Sequence, residues 1–135
     1  MPFIDANMFL RYLTRDDPAK AERVKDLLER AQRGEATLLC TETIIAELVF
    51  MLSSPRIYRL PRQQIRTLLL PIVTLKGLRL PNRRVFRRAL DLYATTNMDF
   101  VDALAIAHME RTKVGEIYSY DEHFDLVEGI HRVVP

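Results

Sequence analysis

Phe3-Ile4-Asp5-Ala6-Asn7-Met8-Phe9-Leu10 reads as a two-residue apolar strand that runs straight into a carboxylate, Asp5. Asn7 then caps a first helix through Arg11 and Leu13. The alternation repeats along the chain. Pro18 and Gly34 bracket an amphipathic helix with Ala21, Val24, Leu27, Leu28 and Ala31 on one face. Ala36 to Cys40 is a second strand, and Thr41 or Thr43 starts a helix through Leu52 that Pro55 stops. Pro61 opens the next helix, with Ile65, Leu68, Leu69, Ile72 and Leu75 at helical spacing and Pro71 kinking or ending it. Leu78 to Leu80 is a third strand. Asn82 caps a helix whose inner face is Val85, Phe86, Ala89, Leu90 and Tyr93. Asp99 opens a helix to about Thr112, Glu116 to Ser119 is a fourth strand, and Ile130 to Val134 a fifth. Short apolar strands alternating with helices predict an α/β sandwich with a mainly parallel sheet, in a single domain over residues 1–135. In such a sheet ligands bind beyond the carboxyl ends of the strands, which puts Asp5 and Asp121 on the same rim.

Composition narrows the function classes. A 135-residue chain that is 48% hydrophobic, with four Gly and seven Pro, is expected to fold as a globular domain, not a disordered or collagen-like one. One cysteine, Cys40, excludes an internal disulfide, and no Cys/His spacing suggests zinc; a reducing cytoplasm suits the chain. The Met1–Asp5 opening lacks the pattern of a secretory signal, and no window is apolar enough for a membrane span. His108, His123 and His131 are scattered and read as surface or partly packed residues.

The net charge of +2 hides a division: from Leu48 to Leu90 there is no acid, and ten cations stand there. That makes a segment of +10 inside a remainder of −8. Arg83, Arg84, Arg87 and Arg88 form a ridge on the helix after Asn82, and Arg59, Arg62 and Arg66 repeat the spacing before it. Ordinary surfaces mix the two signs, and Arg forks suit phosphates and unpaired bases, so these seven arginines are candidate RNA contacts. An acidic or C-terminal segment of a protein partner fits the same cations.

Glu47 is the one polar residue within Ile44 to Leu52. A helix apolar all round is expected to be buried, and a carboxylate there is costly unless paired or bound to metal. No Lys or Arg stands three or four residues away, so Glu47→Ala is expected to stabilise the metal-free protein. Asp102 lies in another apolar helix start, where Asp99 as N-cap and Asp102 at N3 also resemble a capping box. Three or four converging carboxylates without basic partners call for a hard divalent cation, Mg²⁺ or Mn²⁺. Such an acidic pocket beside cations that hold phosphate is what phosphodiester hydrolysis by metal-activated water requires. A phosphotransferase with Asp5 as nucleophile fits less well, because Asn7 stands where its opening expects a second Asp. A non-catalytic binding module that uses the Arg56–Arg88 segment remains an alternative, and it predicts metal-independent RNA binding with a steep salt slope.

With these residues placed, the chain resembles a PIN-domain ribonuclease, specifically the VapC-type toxins of prokaryotic toxin–antitoxin pairs. The resemblance rests on four motifs in order: Phe3 to Leu10, the helix carrying Glu47, Asp99-Phe100-Val101-Asp102-Ala103-Leu104, and Ser119-Tyr120-Asp121-Glu122-His123-Phe124. Ala6 stands where the first motif commonly shows Thr. The resemblance implies a three-layer sandwich around a twisted parallel sheet. It also implies metal-binding catalytic acids at Asp5, Glu47, Asp102 and Asp121, with Asn7 and Ser119 orienting them and Asp99 beside them in the third motif. A homodimer inhibited by a cognate antitoxin, whose tail enters the acidic site, is implied as well.

Overall fold

Asp5, not Asn7, starts the first helix in the computed structural model, which describes residues 1–135. Its backbone is extended, and its Oδ1 accepts the Met8 amide N–H at 3.0 Å, so α1 (Ala6–Thr14) begins one residue after the carboxylate. The chain folds as two units, Met1–Arg83 and Arg84–Pro135.

In the first unit, α2 (Pro18–Gln32) is capped by Asp17 and followed by Gly34 in the left-handed region, φ 81°. Thr41 caps α3 (Glu42–Ser53) through a side-chain bond from the Ile44 amide, and Pro61 precedes α4 (Arg62–Val73). Pro71 sits inside the last turn of α4, which runs two residues past it. The strands β1 (Leu38–Leu39) and β2 (Leu78–Arg79) pair in parallel, and Phe3 joins the other side of β1 by a parallel bridge. Ile4 donates to Leu39 at 2.9 Å and Cys40 to Arg79 at 3.1 Å, so β1 is central. Parallel neighbours need long crossovers, and the two helix pairs α1–α2 and α3–α4 supply them. α1 packs on α2 and α3, around a core that includes Phe9, Leu28, Ile45, Leu48 and Ile65.

In the second unit, α5 (Arg83–Thr95, beginning at the boundary) buries Val85, Phe86, Ala89, Leu90 and Tyr93, the expected inner face, and Leu92 as well. Asn82 does not take the extended backbone of a cap; its φ is 55°, in the turn that precedes α5. α6 (Phe100–Thr112) follows, and Tyr93 meets Phe100 edge-to-face at 5.9 Å. β3 (Glu116–Tyr118) and β4 (His131–Val133) pair in parallel, joined by a 3₁₀ turn at Glu122–Leu126. The fold is α/β, with six helices and short strands whose pairings are all parallel. No helix is long and apolar enough to cross a membrane.

Gly77 leads into β2 at a point where backbone crowds backbone. A Cβ there would stand 2.5 Å from the carbonyl oxygens of both Ala31 and Ala36, while the Gly77 carbonyl accepts from Leu38 at 2.9 Å. Neither carbonyl can yield without shifting the end of α2 or the entry to β1. Gly77→Ala is therefore expected to destabilise the protein by about 2–3 kcal/mol in urea unfolding; unchanged stability would show that the two segments separate freely.

Candidate metal centre

Asp102 occupies the first turn of α6, and Asp121 follows β3. From Asp102 to the end of α6 is a rise of about 15 Å. From Glu116 back to Asp121 the extended chain covers about 16 Å in return. The carboxyl end of the strand therefore comes level with the start of the helix. Ligand atoms of Asp102, Asp121 and His123 all lie within 4.8 Å of one another.

The turn that carries Asp121 is closed by its own residues. Ser119 Oγ accepts the Asp121 amide N–H at 3.0 Å, and Asp121 Oδ1 accepts the His123 amide N–H at 2.9 Å. The imidazole lies over the same carboxylate, with Nδ1 3.3 Å from Oδ1. Asp102 is half-buried, and its carboxyl is pushed above the usual range by desolvation first and then by the negative charges of Asp121 and Asp99, with His123 opposing them. Asp99 holds the N-cap position of α6, but its side chain makes no capping bond, so the expected capping box is not formed and its charge adds to the acidic group. The donors are two carboxylates and an imidazole with no Lys or Arg among them, a set whose charge suits a divalent cation.

The other sequence candidates are placed as follows. Asp5 spends one oxygen on capping α1, and Asn7 is exposed in that helix's first turn. Glu47 is exposed, contrary to the expectation of a buried carboxylate. α3 buries Ile45, Leu48, Val49 and Leu52 on one stripe and turns Thr43, Glu47 and Phe50 outward, with Phe50 71% exposed. An apolar sequence on every side did not require burial on every side. Cys40 is buried at the end of β1, and desolvation pushes its thiol up to about 11, as suits an inert small apolar residue.

The basic ridge is partly spent inside the protein. Arg83 donates to the Leu75 carbonyl at 2.8 Å and also to that of Leu78, tying the end of α4 to β2. Arg88 makes a two-pronged pair with Glu110, at 2.8 and 3.1 Å, between α5 and α6. Arg59 lies outside the helix, in a turn with φ 48°, while Arg62 and Arg66 are half-buried and engaged within the protein. Arg84 and Arg87 remain exposed on α5.

The profile of the PIN domain family matches residues 3–130, across both units. The chain belongs to the PIN domain family. No curated protein matches its sequence. PIN domains are generally metal-dependent nucleases, and PIN nucleases act on RNA. In this PIN domain, His123 is the residue at the cluster that the sequence reading leaves out. The signal available for it is its place two residues after Asp121, and only the tight turn gives that spacing meaning.

Because the Asp102 carboxyl is raised in the folded chain, its ionisation opposes folding; that penalty is absent below the ordinary carboxyl value and complete above the raised one. In chelator at pH 7, Asp102→Asn is expected to raise the melting temperature, with the gain shrinking as pH falls toward about 4. Glu47→Ala, at an exposed site, is expected to change stability by no more than about 0.5 kcal/mol. A large gain or loss at Glu47 would contradict its exposure.

Proposed function

We propose that this PIN domain is an endoribonuclease that hydrolyses RNA phosphodiesters with a divalent metal, Mg²⁺ or Mn²⁺, and serves as the toxin of a type II toxin–antitoxin pair. The observation that carries the reading is the convergence of Asp102, Asp121 and His123 in a chain of this family, with the Asp102 carboxyl pushed up by desolvation and by its acidic neighbours. Asp102 and Asp121 would hold the ion, and Asp5 and Glu47 complete the proposed catalytic acids. When bound, the ion supplies Lewis acidity and positive charge at the scissile phosphate. The protein's own groups do the rest. Ser119, through its bond to the Asp121 amide, keeps that carboxylate turned to the site, and Asn7 and Asp99 are proposed to orient the acids from beside them. Arg84 and Arg87 offer exposed forks for the RNA backbone, with Arg59 as a further contact. Arg62 and Arg66 are engaged within the protein, Arg83 is bound to two carbonyls, and Arg88 pairs with Glu110 at the surface.

A homodimer, a cognate antitoxin whose tail reaches the acidic site, and a cytoplasmic setting complete the proposed role; they rest on the likeness of the four motifs to VapC-type toxins. Attack by water instead of the ribose 2′-hydroxyl leaves 5′-phosphate and 3′-hydroxyl ends. Incubation of purified protein with total RNA and Mg²⁺ or Mn²⁺ is expected to yield such ends. Chelator, Asp5→Ala or Asp102→Ala should lower cleavage by about a hundredfold or more, with RNA binding retained. Cyclic 2′,3′-phosphate ends, or cleavage that survives in chelator, would contradict the mechanism. Binding without cleavage under every condition would favour the non-catalytic module instead.

A further inference from the structure

We infer that His123 donates an imidazole nitrogen to the ion held by Asp102 and Asp121, so that the site takes a first-row transition ion such as Mn²⁺ in preference to Mg²⁺. The inference rests on the nuclease reading and deepens it by naming a ligand and a class of metal.

Geometry comes first. Two donors bound to one ion across a bond length of about 2.1 Å can stand at most roughly 4.2 Å apart. The three ligand atoms here lie within 4.8 Å of one another, a gap that small side-chain rotations close. The backbone of His123 is held beside Asp121. Its amide N–H is tied to Asp121 Oδ1 at 2.9 Å, it belongs to the 3₁₀ turn Glu122–Leu126, and the next residue, Phe124, is buried and anchors that turn. The imidazole is partly exposed and lies beside the carboxylate, with Nδ1 3.3 Å from Oδ1. Chemistry comes second. Mg²⁺ prefers oxygen and keeps several waters, whereas imidazole suits transition ions, so each nitrogen added to a carboxylate pair shifts preference away from Mg²⁺. A pair of carboxylates with a neutral imidazole also balances a charge of +2.

Electron spin-echo envelope spectroscopy on the full chain loaded with MnCl₂ tests the inference without reference to activity. Wild-type protein is expected to show nitrogen modulation from a bound imidazole. His123→Gln should abolish it, while His108→Gln and His131→Gln keep it. Calorimetric titration should show Mn²⁺ affinity falling about tenfold or more in His123→Gln with Mg²⁺ affinity changed by less than about twofold. His123→Asp, which restores a donor as oxygen, should keep Mn²⁺ bound without nitrogen modulation and narrow the preference over Mg²⁺; it serves with the wild-type spectrum if His123→Gln folds poorly. Mn²⁺ bound without nitrogen modulation, or modulation that survives in His123→Gln, would overturn the inference and leave the nuclease reading standing. Wild-type protein that binds neither ion would overturn both.

Discussion

Two hydrogen bonds inside the turn from Ser119 to His123 fix where Asp121 points, and the proposed metal site depends on that direction. The serine hydroxyl takes the Asp121 amide, and the Asp121 carboxylate takes the His123 amide. With its amide and its carboxylate each engaged, Asp121 is held near Asp102 although the two negative charges repel. The repulsion is registered at Asp102, whose carboxyl is raised by desolvation and by its acidic neighbours. A protein gains no stability from such an arrangement. Strained electrostatics of this kind concentrates at sites that bind or react, where a ligand supplies the missing opposite charge.

Short parallel strands make the arrangement possible. Each named strand is two or three residues long, and three strand segments lead within three residues to a capping carboxylate or hydroxyl: Asp5 after the Phe3 bridge, Thr41 after β1, Asp121 after β3. With so little ladder to hold them, the strands rely on the helices and on close backbone contacts such as the one at Gly77. Several arginines serve the same purpose. Arg83 draws two carbonyls together, and Arg88 links α5 to α6 through an exposed pair with Glu110. Basic residues without acidic neighbours in sequence can still find partners in space, since Glu110 lies 22 positions from Arg88.

The order of elements is legible in the sequence because its signals are local. Pro18 and Gly34 bound α2, the five apolar residues expected inside α5 are all buried, with Leu92 beside them, and the five strand segments fall where short apolar runs stand. Signals that depend on distant packing are not legible. Asp5 and Asn7 are both good caps, and only the path of the chain decides between them. The run Ile44 to Leu52 has no polar phase, so nothing local says that α3 turns Glu47 and Phe50 outward. Of the candidate site, Asp102, Asp121 and the supporting Ser119 are readable from motif and strand ends, while His123 looks like one of three scattered histidines until the 3₁₀ turn brings it over Asp121.

If the Asp102–Asp121 cluster holds a divalent ion, thermal unfolding of the full chain with and without that ion will register it. An ion that binds only the folded state stabilises it by about 2.7 kcal/mol at a hundredfold excess over Kd. Saturating MnCl₂ is expected to raise the melting temperature of wild-type protein by several degrees, chelator to reverse the rise, and Asp121→Asn to remove most of it. A melting temperature indifferent to Mn²⁺ and Mg²⁺, or a rise undiminished in Asp121→Asn, would contradict the account.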